Sequence, residues 1–317
     1  MLATPPEQGN ARPTTIGAAL DKIFASLEAS GLFFGHGTDN AWDEAVQLVL
    51  ATGGYPLAAD ESVLLRPLSE EGWSSMARLL ERRVGERMPL PYLLGSAWFA
   101  GLEFRCDERA LVPRSPLAEL IQLDYSPWWG GEPPARILDL CCGGGCIGIA
   151  AAVYSPQSQV VLADIDEDAL ELARENMLLY DLQERVEINQ SDLFAGLPRG
   201  SFDLILCNPP YVDADDLARM PAEYLAEPAR GLGAGSDGLA IAMQVLAQAG
   251  AFLSPRGLLF MEVGNSWLAL EERLPRSPLS WVEFANGGHG VLAITAAELA
   301  LVAKELSSTA PDGVQSV

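Results

Sequence analysis

The sequence predicts an α/β protein: a doubly wound, mostly parallel sheet preceded by a small helical domain. Three observations carry that expectation. Short apolar runs at 136–140, 160–163, 186–189, 204–207 and 257–263 are separated by helical stretches, among them 167–180 and 238–253. Buried strands joined by crossover helices make a parallel sheet covered on both faces. Two further runs, 281–284 and 291–295, flank Asn286-Gly287-Gly288-His289-Gly290 and read as a closing antiparallel pair, which brings the strands to seven. Before about residue 95 the apolar residues instead recur at three-and-four spacing, the period of amphipathic helices.

Each element has a local reason. Residues 15–30 place Ile16, Leu20, Ile23, Phe24 and Leu27 on one helical face. Asn40 can cap a second helix reaching about Thr52, after the turn Gly35-His36-Gly37-Thr38-Asp39. Ser69 opens a third helix, with Glu70 and Glu71 at its positive end and Arg82 and Arg83 at its negative end. Residues 97–104 and 110–112 read as two short strands joined by the charged turn Asp107-Glu108-Arg109. Val112-Pro113-Arg114-Ser115-Pro116 then leads into a helix ending near Tyr125. Residues 126–134 hold two glycines and three prolines in nine positions, which no helix or central strand tolerates, so a domain boundary is placed there. The organisation read from these signals is a helical substrate-recognition domain at 1–95, hairpin, helix and linker at 96–134, a sheet domain at 135–306, and a loose polar tail at 307–317.

Charge narrows the partners. The 317 residues carry 43 acidic and 20 basic side chains, a net charge of −23, and only Lys22 and Lys304 are lysines. Ten cations face eighteen acids before Ala135, and ten face twenty-five from there on, so neither half offers a basic groove. Such a surface repels phosphate backbones and anionic lipids and favours a small molecule or a basic protein. The five cysteines, Cys106, Cys141, Cys142, Cys146 and Cys207, form no disulfide framework and have no histidine near them in sequence, which reads as reduced thiols without a metal. The first ten residues show neither a basic nor an apolar segment of a signal peptide, and the longest apolar stretch, 238–253, is too short for a bilayer. The expectation is a cytoplasmic protein.

Two motifs carry chemistry. Ile137-Leu138-Asp139-Leu140 runs into Cys141-Cys142-Gly143-Gly144-Gly145-Cys146-Ile147-Gly148, a strand entering a glycine loop and then a helix. At the carboxyl end of a parallel strand such a loop lets backbone approach a nucleoside ligand closely. Gly143-x-Gly145-x-x-Gly148, with Asp164 about 20 residues on as a ribose-binding acid, admits NAD as well as S-adenosylmethionine. Asp139 separates the two, because a carboxylate there suits the cationic amino and sulfonium groups of S-adenosylmethionine and repels a pyrophosphate. The plainer reading of Asp139 is a buried acid capping its own loop amides.

The second motif, Asn208-Pro209-Pro210-Tyr211, directly follows the apolar run 204–207. Successive prolines fix φ and remove two N–H donors, leaving the Asn208 side-chain oxygen and the Pro209 carbonyl as acceptors beside an aromatic ring. That arrangement suits a planar NH2 group whose nitrogen faces a methyl donor. An amide nitrogen is a weak nucleophile, so positioning has to supply much of the rate.

On these residues the chain resembles the protein-(glutamine-N5) methyltransferases, relatives of the release-factor enzyme within the class I, Rossmann-like methyltransferases. Further segments resemble the branch acting on large-subunit ribosomal protein L-three: Phe34-Gly35-His36-Gly37-Thr38-Asp39-Asn40-Ala41, Arg87-Met88-Pro89-Leu90-Pro91-Tyr92-Leu93-Leu94-Gly95, Ala97-Trp98-Phe99, the run from Leu111 to Ile121, Glu262-Val263-Gly264-Asn265-Ser266 and Asn286-Gly287-Gly288-His289-Gly290-Val291. The resemblance implies S-adenosylmethionine as cofactor, held by Asp139, Cys141, Cys142, Gly143, Gly144, Gly145, Asp164, Asp192, Leu193 and Asn208. It further implies catalysis at Asn208, Pro209, Pro210 and Tyr211, no metal, and a basic ribosomal protein as partner rather than nucleic acid or membrane. Where the release-factor branch has a PRP-acid-Thr-Glu run, this chain has Pro113-Arg114-Ser115-Pro116-Leu117-Ala118. Leu193 stands where that family has an aromatic ring, with Phe194 beside it as the candidate for stacking on the adenine. Asp213, Asp215, Asp216, Glu223 and Glu227 follow the second motif as an acidic segment suited to a basic substrate. Methylation of release factors and, more remotely, of adenine amino groups in DNA are the alternatives. A non-catalytic assembly factor and an NAD-dependent oxidoreductase are readings from other classes.

Overall fold

The computed structural model describes residues 12–233, 235 and 237–309. The chain divides between Leu94 and Gly95 into two compact units. Among the described residues the first holds the α-helices α1 (Ile16–Ala29), α2 (Ala41–Thr52), α3 (Glu70–Gly85) and α4 (Leu90–Leu94). Three start on side-chain caps: Thr15 Oγ1 accepts from the Ala18 N–H, Asn40 Oδ1 from Asp43 and Ser69 Oγ from Gly72. The apolar stripe of α1 packs with Ala45, Leu48 and Val49 of α2 and Met76 of α3. Arg82 and Arg83 stand in the last turn of α3, as expected. Arg83 is buried there, its Nε 2.6 Å from Glu44 Oε1 and its Nη2 3.0 Å from the Phe33 carbonyl. A buried cation is costly without a partner, and through Glu44 and the Phe33 carbonyl this one ties the loop at Phe33 to two helices.

The second unit opens with a hairpin, β1 (Ser96–Phe99) and β2 (Leu102–Arg105). Its turn is Ala100-Gly101, both left-handed at φ +50° and +77°, which matches the strand twist. Residues 97–104 are therefore both arms of the hairpin, and 110–112 form no strand. The expected turn at Asp107–Arg109 lies beyond it, where Arg109 pairs with Asp107 and Glu175. After α5 (Leu117–Gln122), Leu117, Leu120, Ile121 and Tyr125 join Phe99, Phe104 and Ile137 in one core. Residues 126–134 thus lie inside the second unit, and the units part upstream of them.

Then come β3 (Arg136–Leu140), α6 (Cys146–Tyr154), β4 (Gln159–Asp164), α7 (Glu167–Leu179), β5 (Val186–Gln190), β6 (Phe202–Cys207), α8 (Ala214–Arg219), α9 (Ala240–Gln248), β7 (Leu253–Glu262), α10 (Trp267–Arg273), β8 (Ser280–Trp281), β9 (Val291–Thr295) and α11 (Ala296–Thr309). The seven strands from β3 on form one sheet in the order β5-β4-β3-β6-β7-β9-β8, parallel through β7 and antiparallel at β7/β9 and β9/β8. This is the expected seven-stranded, mostly parallel sheet. One face is covered by the hairpin, α5 and α6, the other by α9, α10 and α11. α9 is shorter than expected because 249–251 tighten into a 3-10 turn and β7 begins at Leu253. Of the expected loose tail, 307–309 continue α11, and 310–317 lie outside the described residues. No described helix is long and apolar enough to cross a membrane.

Candidate functional site

From β3 the chain winds outward through β4 and β5, whereas β6 and β7 lie on the other side of β3. Loops leaving the carboxyl ends of β3 and β6 therefore diverge, and ligands bind in the crevice so formed. A cavity of about 850 Å³ opens there. It is lined by Cys141, Cys142 and Gly143 after β3, Asp164 and Ile165 after β4, Asp192 and Leu193 after β5, and Asn208, Pro209, Pro210 and Tyr211 after β6.

The glycine loop turns because Gly143 and Gly145 are left-handed, at φ +52° and +79°. Cys141 holds φ +60° between β3 and this turn, a conformation that costs an ordinary residue about 1–2 kcal/mol. Gly148 serves packing: a Cβ there would fall 2.2 Å from Leu162 Cδ2 and 2.8 Å from Asp139 Cβ, so its absence brings α6 onto the sheet. Gly144 and Gly145 sit behind the residues that line the cavity.

Asp139 is also absent from the cavity wall. Strand alternation sends its side chain with that of Ile137 toward α6, where it is fully buried. Its Oδ2 accepts from the Gly148 N–H at 2.7 Å, while Oδ1 is buried with no hydrogen-bond partner. Burial pushes its pKa up to about 7. The geometry matches the capping reading of this residue rather than direct contact with a cofactor. Asp164 does reach the cavity, and its Oδ2 accepts from the Gly143 N–H at 2.8 Å while Oδ1 accepts from Asp166 at 2.9 Å. It thus fixes the glycine loop, and burial raises its pKa. Asp166, not Asp164, caps α7.

Beyond β5, Ser191 Oγ lies 2.6 Å from the carbonyls of both Leu193 and Ala195, bending the loop so that Leu193 sits at φ +51° on the cavity wall. Phe194 cannot replace the missing aromatic ring. It is turned into the core, its ring stacked on Phe252 at 4.5 Å. The apolar lining beside Leu193 comes from Ile165, half exposed, a residue the sequence reading passed over.

At the end of β6 Asn208 lines the cavity, and its side chain makes no hydrogen bond among the described residues. Tyr211, by contrast, is held from three sides. Its hydroxyl donates to Glu262 Oε1 at 2.7 Å, its carbonyl accepts from Ser266 Oγ at 3.1 Å, and Gly264 lies so close that a Cβ would meet the ring at 2.5 Å. Glu262 is buried and takes a second bond from Ser115 Oγ at 2.6 Å. Burial raises its pKa, and these two donors oppose the rise. Segments 147 residues apart thus meet behind the tyrosine, and no local sequence signal announces it. Two of the five acids assigned to a docking segment are buried: Glu223, and Glu227, which pairs with Arg114 and accepts the Val112 N–H at 2.9 Å. Asp213 caps α8 through Asp216. Asp215 is exposed and Asp216 borders the cavity.

Comparison with known proteins identifies the architecture. The family described as methyltransferase small domain matches residues 131–235. The ribosomal protein uL3 glutamine methyltransferase of Francisella tularensis subsp. tularensis is 44% identical over 276 residues, covering 87% of this chain and 88% of the relative. That of Xanthomonas campestris pv. campestris is 47% identical over 274 residues, covering 85% and 87%. The chain belongs to this uL3 glutamine methyltransferase family. A methyltransferase structure from Pyrococcus furiosus aligns with 70% of the chain and 97% of its own length, at 20% identity and a TM-score of 0.45.

The cofactor of the family is S-adenosylmethionine, and the cavity fits it. Its volume exceeds what one nucleoside fills and leaves room for a side chain. The left-handed Gly143 opens the backbone, Asp164 and Asp192 offer carboxylates for hydroxyls or an amino group, and Ile165 and Leu193 offer apolar surface for a base. In this family member the buried Glu262 should act on the reaction chiefly by holding Tyr211. Tyr211→Phe and Glu262→Gln are each expected to lower kcat about tenfold. The double variant should be no slower than either single one, a coupling that single-turnover rates of all four proteins measure.

Proposed function

We propose that the protein transfers the methyl group of S-adenosylmethionine to the side-chain amide nitrogen of a glutamine in ribosomal protein uL3, in the cytoplasm. The observation that carries this reading is Asn208: an uncommitted side-chain amide, followed by two prolines, on the wall of the cavity that also holds the glycine loop. Cys141, Cys142, Gly143, Asp164, Asp192 and Leu193 would hold the cofactor, with Asp139, Gly144 and Gly145 shaping the loop from behind. When bound, the cofactor supplies a methyl group made electrophilic by its sulfonium.

Asn208 Oδ1 and the Pro209 carbonyl accept the two N–H bonds of the incoming amide and fix its nitrogen in the cavity. Pro209 and Pro210 bring no N–H of their own to compete for those acceptors. Tyr211, immobilised by Glu262 and Gly264, walls the site. Holding a weak nucleophile in one orientation is itself a large part of such catalysis. The helical unit is assigned the recognition of the protein substrate; Phe33, Trp42 and Leu65 are apolar and exposed on it. The net charge of −23 favours encounter with a strongly basic protein.

The test is incubation of the full-length protein with isotopically labelled S-adenosylmethionine and, separately, purified uL3 and a peptide chain release factor. Label on a glutamine of uL3 is expected. Label on the release factor alone would move the substrate assignment to the alternative branch, and label on neither would remove glutamine methylation altogether.

A further inference from the structure

A glutamine amide presents two donors and one acceptor. Asn208 and Pro209 account for the donors, which leaves the amide oxygen in need of a hydrogen-bond donor on the cavity wall. Nearly all the side-chain N–H and O–H groups there are already engaged. Arg109 is paired with Asp107 and Glu175 and Arg114 with Glu227, while Arg230 holds Asp166 through Nη1 with most of its guanidinium in solvent. The hydroxyls of Ser115 and Tyr211 go to Glu262, that of Ser191 to two carbonyls, and that of Ser266 to Tyr211. Tyr224 is engaged beneath the Arg114 guanidinium. Besides Asn208, one amide is left among the described residues: Asn265, on the cavity wall just past the end of β7.

Its neighbours place Asn265 beside the reacting segment. Gly264 packs against the Tyr211 ring and Ser266 bonds the Tyr211 carbonyl. Its orientation is set from outside. His289 Nε2 lies 2.9 Å from Asn265 Oδ1, so an N–H on that nitrogen donates to the oxygen and turns Nδ2 away from the imidazole. The loop carrying His289 is itself held. Gly290 passes so near the Gly264 carbonyl that a Cβ would lie 2.1 Å from it, and a Cβ on Gly288 would lie 2.8 Å from Pro116. Glu119 accepts the backbone N–H groups of Ala285 and Asn286 and the Asn286 side-chain amide.

We infer that Asn265 is a substrate-binding residue whose Nδ2–H donates to the carbonyl oxygen of the target glutamine, with His289 as the positioning residue that fixes its amide. With acceptors at Asn208 and Pro209 and a donor at Asn265, the site reads the polarity of the amide and rejects the flipped orientation. The inference rests on the proposed glutamine methylation.

Asn265→Asp separates donor from shape, because it keeps the oxygen that His289 contacts and replaces the N–H donor with a second acceptor. Its kcat/KM for full-length uL3 should fall on the order of 100-fold, with melting temperature and S-adenosylmethionine affinity unchanged. An Asn265→Asp enzyme within about threefold of wild type would overturn the assignment. His289→Leu should cost about tenfold, His289→Gln, which retains an N–H, should recover most of it, and Asn265→Ala/His289→Leu should be no worse than Asn265→Ala. Additive losses would remove the positioning role. A wild-type protein that labels no glutamine on uL3 defeats the underlying reading, and this inference with it; an active wild type with an indifferent Asn265→Asp variant defeats this inference alone.

Discussion

Asn208→Ala should cut the rate of glutamine methylation by on the order of 1000-fold and leave the protein otherwise intact. The expectation follows from what this side chain does not do. It donates to and accepts from no other described residue, so its removal orphans nothing and the melting temperature should not move. What disappears is one of the two acceptors for the target N–H bonds, and with it the preference for one orientation of a nitrogen that is barely nucleophilic. Cofactor affinity should fall far less than the rate, since the loops after β3, β4 and β5 are untouched and Asn208 is one of several residues expected at the cofactor. Single-turnover rates at saturating S-adenosylmethionine, with calorimetric titration of the cofactor and a melting curve, separate these outcomes. A loss below about tenfold would mean that the prolines and Tyr211 orient the amide unaided.

How much of this was legible depends on where each signal resides. The parallel strands were, because strands buried on both faces read as unbroken apolar runs. Their loops were legible too: Cys141–Gly143, Asp164, Asp192 and Asn208–Tyr211 meet in one cavity because all follow strands at the same edge of the sheet. The hairpin turn was not, since Ala100 takes a left-handed conformation that alanine does not advertise, whereas the charged residues at 107–109 do resemble a turn. The direction of the Asp139 side chain was hidden for a related reason. In a strand apolar on both faces the pattern does not reveal which parity faces a ligand, and its own parity faces α6. Glu227 was counted with the docking acids because its partner, Arg114, is 113 residues away. The contacts of Asn265 with His289 and of Glu262 with Ser115 share that character. Their motifs were visible, but only folding shows that the motifs hold one another.

The second large effect is expected at Asp139, and its sign follows from burial. The unfolded chain releases this proton near 3.8, whereas in the folded protein burial raises the pKa to about 7, the Gly148 N–H opposing only part of the shift. Between those values the native state keeps a proton that the unfolded state has lost, so stability falls as pH rises and levels off once the folded carboxyl has ionised. A shift of about three units corresponds to about 4 kcal/mol between pH 4 and pH 8. In Asp139→Asn an oxygen still accepts from Gly148, no group titrates, and this share of the pH dependence should vanish. The variant bears the cost of an unpartnered amide, about 1–3 kcal/mol, equally at every pH. It should therefore be the less stable protein at pH 4 and the more stable one at pH 8, a crossing that urea denaturation at a series of pH values would reveal. Parallel curves would mean that Asp139 is ionised in the folded protein throughout that range. Its unpartnered Oδ1 would then be a buried anion awaiting a cation, and the first expectation, that this carboxylate favours a positively charged cofactor, would return. Repeating the series with saturating S-adenosylmethionine decides between the two, since only a carboxylate that feels the cofactor's charge would have its pKa lowered by binding.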